Sequence, residues 1–372
     1  MGGGKSAVEG LGLTGRHDAF WPGVRVLVTG HTGFKGAWLT LWLHRLGADV
    51  AGYSIAPPPG PSAFELAKLD EIGGAEFGDI LDMNRLGAAF ATHRPQIVFH
   101  LAAQALVKVG YADPAATYAV NALGTANVLL AARAQESVRA VVAVTSDKCY
   151  DGHAGARRHS EDDPLGGDDP YSASKACAEH IVAALRATWC SGEPPARMRI
   201  ATARAGNVIG GGDWSADRLV PDALEAFSSR TMLSIRNPAA VRPWQYVLDP
   251  IAAYLELARM LAGEDGHDFA RAWNFGPPAD SERTVSWVAD HLAMSWGDGA
   301  AWLAEPGLHP PERKSLRLDS AAAAAALGWR AGVDLEHALD LTVRWYRGYR
   351  DGRPVRALML DEIERYEKAL AA

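Results

Sequence analysis

Two groups of side chains are spaced as if for chemistry. Tyr171 and Lys175 lie four residues apart in Tyr171-Ser172-Ala173-Ser174-Lys175. On a helix that spacing puts both on one face, and an ammonium beside a phenol lowers its pKa towards neutrality. A tyrosine held this way can act as a base. Pro170 suits the first turn of such a helix, and Asp168 or Asp169 can cap it. The same spacing also occurs on ordinary amphipathic helices. Ser146 lies 25 positions before Tyr171 and is followed directly by Asp147 and Lys148. Its hydroxyl can hydrogen-bond the reacting oxygen of a substrate. Taken as residues alone, Asp147 and Lys148 read most simply as a solvated turn.

These residues need a scaffold, and the sequence supplies one. The run 24–28, Val-Arg-Val-Leu-Val, predicts a strand that ends in Thr29-Gly30, and an apolar helix pattern follows from Trp38 to Leu46. Between them stands Gly30-His31-Thr32-Gly33-Phe34-Lys35-Gly36. Gly30 permits a tight turn, Gly33 leaves room for a pyrophosphate, and Gly36 lets the helix approach the strand. Free N–H groups and the helix dipole then attract phosphate. A dinucleotide is therefore expected on Gly30, Thr32, Gly33, Phe34, Lys35 and Gly36. A carboxylate commonly closes the second strand to hold the adenosine ribose, but Gly52-Tyr53-Ser54 has none. No arginine stands there to favour a 2′-phosphate, so NAD is expected over NADP.

Further strands are predicted at 49–53, 75–77, 97–101, 140–145 and 198–204, with helices at 115–135 and 172–189. Apolar strands alternating with helices predict an α/β, Rossmann-type doubly wound parallel sheet. Shorter strands near Leu233 and Trp273 and helices near Ala252, Val285 and Leu335 suit a smaller C-terminal α/β substrate lobe, and 321–326 reads as a small-residue helix. The expected division is a flexible tail at 1–20, a dinucleotide lobe at 21–206 plus 245–277, and a second lobe at 207–244 plus 278–372. The net charge of −7 over 372 residues offers no basic field for nucleic acid. No uninterrupted apolar run reaches the length of a membrane span. Cys149, Cys177 and Cys190 are too few for a disulfide framework or a zinc site, so no metal is expected. A cytoplasmic protein fits these features.

The chain resembles the extended short-chain dehydrogenase/reductases that modify nucleotide sugars, from about Gly23 to Tyr346. The stretches that carry the resemblance are GHTGFKGAWLTLWL (30–43), IVFHLAAQALV (97–107), VTSDKCY (144–150), DPYSASKACAE (169–179), RAGNVIGGGDW (204–214), DRLVPD (217–222) and IRNPAAVRPWQYVL (235–248). Ser146-Asp147-Lys148, in place of Thr-Asp-Glu, together with the GGGDW stretch, is similar to the 4,6-dehydratases that take CDP-glucose. The resemblance implies catalysis by Ser146, Asp147, Lys148, Tyr171 and Lys175 with NAD held throughout. Asp79, Ile80, Leu101, Ala102 and Ala103 would line the cofactor.

It further implies that Gln104, Asn207, Arg218 and Arg242 hold the nucleotide sugar, with Arg236 a weaker candidate. Lone arginines are otherwise surface residues. Trp214 and Trp244 could line a base pocket or simply pack, and His100 could touch the cofactor or sit hydrogen-bonded in the core. Lys108 and Gly110 stand where the family usually has Arg and Ser, while Tyr111 is kept. The implied partners are CDP-glucose and a second copy of the chain, as a homodimer or homotetramer. Other readings of the same scaffold are a 4-epimerase, a dTDP- or GDP-sugar dehydratase, or a redox-sensing protein without turnover.

Overall fold

The computed structural model describes residues 17, 19–152, 157–190, 197–305 and 316–371. Its strands are β1 (Arg25–Thr29), β2 (Asp49–Ser54), β3 (Gly74–Phe77), β4 (Ile97–His100), β5 (Ala140–Val144), β6 (Arg199–Ala205), β7 (Asn207–Ile209), β8 (Leu233–Ile235), β9 (Val241–Tyr246), β10 (Ala272–Phe275), β11 (Glu282–Thr284) and β12 (Trp302–Ala304). Seven of them form one sheet in the order β10-β6-β5-β4-β1-β2-β3, and every pairing in it is parallel. The chain leaves β1 in one direction through β2 and β3, then returns to the other side at β4. That reversal opens a crevice at the carboxyl ends of β1 and β4, where ligands bind in open α/β sheets.

The main helices are α1 (Phe34–Arg45), α2 (Met83–His93), α3 (Gly124–Ala134), α4 (Pro170–Trp189), α5 (Leu219–Ser228), α6 (Leu248–Ala262), α7 (Val285–Trp296), α8 (Leu335–Arg350) and α9 (Val355–Ala371). Alternate residues of the central strands enter two separate cores. Val26, Val28, Phe99 and Val142 pack on one face, and Leu27, Val98 and Val141 on the other. Strands covered on both faces must be apolar throughout, which is why these runs show no polar alternation.

Two regions depart from the sequence expectation. The continuous helix predicted at 115–135 is built as a short helix Pro114–Tyr118, a π-helical turn Ala119–Leu123, and α3. Residues 114–134 are also apolar and long enough to cross a membrane, but half of that stretch is buried inside the protein. The strands near Leu233 and Trp273 belong to different sheets: β8 pairs with β12, while β10 forms the edge of the large sheet beside β6. A three-stranded sheet, β11-β9-β7, completes the architecture, and the helix Ala321–Leu327 forms where expected. Most of the expected tail at 1–20 lies outside the described residues. Its residue His17 is buried, with Nε2 3.1 Å from Glu256 Oε2.

Candidate active site

The glycine turn is shaped by contacts that exclude side chains. Gly30 has φ +78°, and a Cβ there would come within 2.6 Å of the Ala102 amide. A Cβ on Gly36 would lie 2.0 Å from the Gly30 carbonyl oxygen, so the helix sits directly on the turn. A Cβ on Gly33 would meet nothing closer than that same oxygen at 3.4 Å. Gly33 is thus bare towards open space rather than towards protein. It is the N-cap of α1, and neither a capping side chain nor a first-turn acid competes for the free N–H groups. An anion can therefore dock there.

Thr32 Oγ1 lies 2.9 Å from Ser54 Oγ and so ties the turn to the end of β2. No acid closes β2, and the space on its face at Gly52 is taken by another side chain. The ring of His31 fills the space above Gly52, where a Cβ would stand 2.2 Å from it. Burial pulls the His31 pKa down to about 4, so this ring is neutral. Asp79 accepts the Leu81 amide at 2.9 Å, and its own carbonyl accepts from the Tyr53 hydroxyl. Ile80 is buried, and Asn127 donates to its carbonyl oxygen. Leu101, Ala102 and Ala103 follow β4 and flank Gly30.

His100 is a structural residue. Thr125 gives its proton to the Asn121 carbonyl, so its oxygen accepts from His100 Nε2 at 3.0 Å, and Thr29 donates to Nδ1 at 2.8 Å. Burial lowers the His100 pKa to about 3, which keeps it neutral. It joins β1, β4 and α3 and leaves no ring nitrogen for a ligand.

The catalytic candidates meet at the other side of the crevice. Asp169 caps α4 by accepting the Ser172 amide at 2.9 Å, which fixes the first turn carrying Tyr171 and Lys175. Ser146 and Asp147 are buried just beyond β5. The Ser146 hydroxyl donates to Asp147 Oδ1 at 2.9 Å, and Lys148 Nζ donates to the same oxygen at 3.3 Å. A Cβ on Gly206, just after β6, would lie 3.2 Å from Asp147 Oδ2, so this glycine lets the chain pass close to the carboxylate. Gly110, in the short helix Val107–Ala112, faces Tyr171 closely: a Cβ there would lie 3.2 Å from the Tyr171 amide.

The electrostatics differ from the simple expectation of a lysine-lowered phenol. Burial raises the Tyr171 pKa, and the cation that opposes this most is Lys148, followed by hydrogen bonding to Ser146. Burial also lowers the Lys175 pKa to about 8. Its Nζ has no hydrogen-bond partner among the described residues, although Lys175 is 6% exposed. Lys35 turns inward, with Nζ 3.4 Å from the Tyr254 hydroxyl, and burial followed by the charges of Lys175 and Arg218 lowers its pKa to about 7. Lys148, Lys175 and Arg218 all act on Lys35 as like charges, with Asp147 the carboxylate that opposes them, so several cations share this side of the crevice. Such an excess of cations suits a diphosphate.

Four further candidates are less directly placed. Gln104 spends its amide on Thr117 Oγ1, at 3.0 Å, and on the Leu106 amide. Asn207 opens β7 opposite Trp244. Arg218 is bound to Asp213 at 2.9 Å, and Arg242 donates to the Val241 carbonyl at 3.0 Å. Trp244 is buried, and Trp214 packs against Trp345, Tyr346 and Tyr349, so both tryptophans serve the core. The GGGDW stretch is a packing device, since a Cβ on Gly211 would fall 2.2 Å from the Trp345 ring. Lys108 is paired with Asp217 across the mouth of the crevice.

Two positions that tie the site together escaped the sequence reading. Asn121, in the π-helical turn, accepts the Gln104 amide at 2.8 Å and donates to Ser174 Oγ at 2.9 Å. It pins the loop after β4 to α4, and an asparagine inside an apolar helix run was the available signal. The other is Glu179, two turns after Tyr171 and fully buried among polar partners.

Comparison with known proteins agrees with this geometry. The pattern of the NAD dependent epimerase/dehydratase family matches residues 26–272. The chain belongs to that family. It is 42% identical to a CDP-glucose 4,6-dehydratase of Salmonella typhimurium over 94% of this chain and 98% of the relative. A UDP-glucose 4-epimerase of Mycolicibacterium smegmatis is 29% identical over 87% and 99% of the two chains. Among solved structures, a dTDP-glucose 4,6-dehydratase of Streptomyces venezuelae with NAD bound matches with a TM-score of 0.74 at 24% identity, covering 89% of this chain and all of that one.

The family's cofactor is NAD, and the residues present fit it. The glycine turn offers a bare cradle at an uncapped helix start, and the buried Lys175 ammonium makes no hydrogen bond among the described residues.

Proposed function

We propose that this member of the family is a CDP-glucose 4,6-dehydratase, forming CDP-4-keto-6-deoxyglucose and water. The observation that carries the reading is the Asp147–Lys148 pair, 3.3 Å apart at the end of β5 and acting on buried Tyr171. The Salmonella relative, matched over almost its whole length, supports the choice of CDP-glucose.

Bound NAD would supply the hydride chemistry, taking hydride from C4 of the sugar and returning it at C6. Gly30, Thr32, Gly33, Phe34, Lys35 and Gly36 would hold its pyrophosphate, Asp79 and Ile80 its adenine end, and Leu101, Ala102, Ala103 and Lys175 would complete the seat. Tyr171 takes the proton of the 4-hydroxyl, and Ser146 hydrogen-bonds that oxygen. Lys148 and Arg218 lower the cost of the phenolate. Oxidation at C4 acidifies the C5 proton, which passes to Lys148, while Asp147 protonates the departing 6-hydroxyl; as hydride arrives at C6, Lys148 gives its proton back to C5.

These last two roles need a neutral amine and a neutral acid. One proton moved from Lys148 to Asp147 creates both without changing the charge of the pair. At the end Asp147 is one proton short and Tyr171 has one to spare. Ser146, 2.9 Å from Asp147, lies on the shortest return path.

Gln104, Asn207, Arg218 and Arg242 would grip the nucleotide sugar; freeing Arg218 from Asp213 would give it a fork for phosphate. The proposed lobes are 21–206 plus 245–277 and 207–244 plus 278–372. Partly exposed Tyr118, Leu123 and Leu130 on the 114–134 helices support a homodimer or homotetramer. Unpaired Cys149, Cys177 and Cys190 support a cytoplasmic setting.

The test is incubation with CDP-, dTDP-, GDP- and UDP-glucose, reading the alkali-induced absorbance of a 4-keto sugar. Signal with CDP-glucose well above the rest is expected, and none with CDP-glucose sinks the reading. Lys148→Ala should still oxidise C4 yet lose solvent deuterium incorporation at C5. Normal incorporation would assign the base elsewhere.

A further inference from the structure

The two catalytic segments come from different elements, so something must hold them in register. Thr145-Ser146-Asp147-Lys148 leaves β5, while Tyr171 and Lys175 ride on α4. Glu179 lies on the same face of α4, one turn beyond Lys175. Its carboxylate accepts from the Thr145 hydroxyl, from Thr202 Oγ1 at 2.8 Å and from Arg204 Nη2 at 2.8 Å. Thr145 immediately precedes Ser146. Thr202 and Arg204 lie on β6, whose continuation at Gly206 abuts the Asp147 carboxylate. One side chain therefore links the catalytic helix to both strand ends that shape the site.

Arg204 extends the link, donating to the Tyr150 hydroxyl at 2.6 Å and to the Glu161 carbonyl at 3.1 Å. Tyr150 in turn donates to Asn274 on β10. Glu179 and Arg204 are both about 3% exposed. A buried ion pair is a poor source of stability compared with apolar packing, so its presence calls for a positional reason.

We propose that Glu179 is a positioning residue for the reaction, setting the distance between the Ser146-Asp147-Lys148 segment and the Tyr171–Lys175 pair through Thr145 and Arg204. It also contributes the carboxylate that favours the charged form of buried Lys175. The other charged or titratable groups acting around Lys175 are Lys35 and His100 across the crevice and Cys149 beneath it, with Arg204 behind Glu179. The inference rests on the dehydratase reading only for its assay.

Removing Glu179 would strand Arg204 and risk the fold, so the test uses Thr145→Val, which is nearly isosteric and leaves the Glu179–Arg204 pair intact. Wild type is first measured with CDP-glucose; no turnover there would overturn the functional reading and not this one. Given wild-type turnover, folded Thr145→Val should show kcat lowered roughly tenfold with KM within about twofold, since small misplacements of reacting groups are costly. Thr145→Ser restores the hydroxyl and should recover most of that loss. Turnover of Thr145→Val within about twofold of wild type overturns the proposal. So does a loss that Thr145→Ser leaves uncorrected, or one that merely tracks the fraction of folded protein.

Discussion

The two sides of the crevice recognise their ligands by opposite means. The β1–β2 side offers backbone: glycines at 30, 33 and 36, an uncapped helix start, a hydroxyl pair, and a neutral His31 over Gly52. The β5–β6 side offers charge: buried Asp147, Lys175, Glu179 and Arg204, the half-buried Lys148, and Lys35 and Arg218 nearby. On the proposed reading the first side needs only shape and free N–H groups, because the pyrophosphate it would hold does not react. The second must move protons, and so it accepts the cost of desolvating ionisable groups. Binding and chemistry should therefore separate by mutation, and failure to separate would break the comparison.

The largest separation is expected at Tyr171. Tyr171→Phe should lower turnover about 10³-fold while the dinucleotide Kd stays close to wild type, read by assay and calorimetry. A comparable loss of dinucleotide binding would show that the charged side is part of the cofactor's anchorage. Asp147→Asn should cost about 10²-fold in dehydration with sugar oxidation retained, so reduced cofactor should build up in single-turnover absorbance.

On the backbone side the order of effects is reversed. Gly36→Ala forces a Cβ to within 2.0 Å of the Gly30 oxygen and should destabilise the fold by about 3 kcal/mol in denaturant titration. Gly33→Ala meets no such clash. It should fold normally and weaken dinucleotide binding roughly tenfold, about 1.4 kcal/mol.

The smallest effect sharpens the comparison through pH. Lys175 loses its proton near pH 8 in the folded protein, against an ordinary value of 10.5. Its ammonium is needed beside the reacting groups, so kcat/KM should decline as pH rises through about 8. Its stability contribution runs the other way. Between 8 and 10.5 the unfolded chain holds the proton that the folded chain has lost, so this group makes stability rise with pH across that window. Lys175→Arg should remove the alkaline decline linked to residue 175, and its persistence would assign the decline to another group.

Much of this side-by-side arrangement is legible without coordinates. The glycine spacing, the apolar strands, and the Tyr171–Lys175 and Ser146–Lys148 clusters are all local patterns. Other features are not. The run 115–135 reads as one helix, because an inserted π turn changes hydrogen-bond register without changing composition. Trp214 and Trp244 look equally suited to pocket and core, since an aromatic side chain serves either, and their neighbours come from distant segments. The missing acid after β2 is a visible gap, but that the His31 ring packs over Gly52 follows only from the closeness of the two segments.

What the sequence determined by itself was the menu of groups and the periodicities that build the sheet around them, because propensity and hydrophobic pattern act over a few residues. What the tertiary structure decided was the state of those groups. The Tyr171 phenol is raised by burial and opposed mainly by Lys148, Lys35 turns inward, and Glu179 binds Thr145 and Arg204 from two strands. Protonation and positioning depend on burial and on charges brought together across the fold, and those distances exist only once the chain has closed on itself.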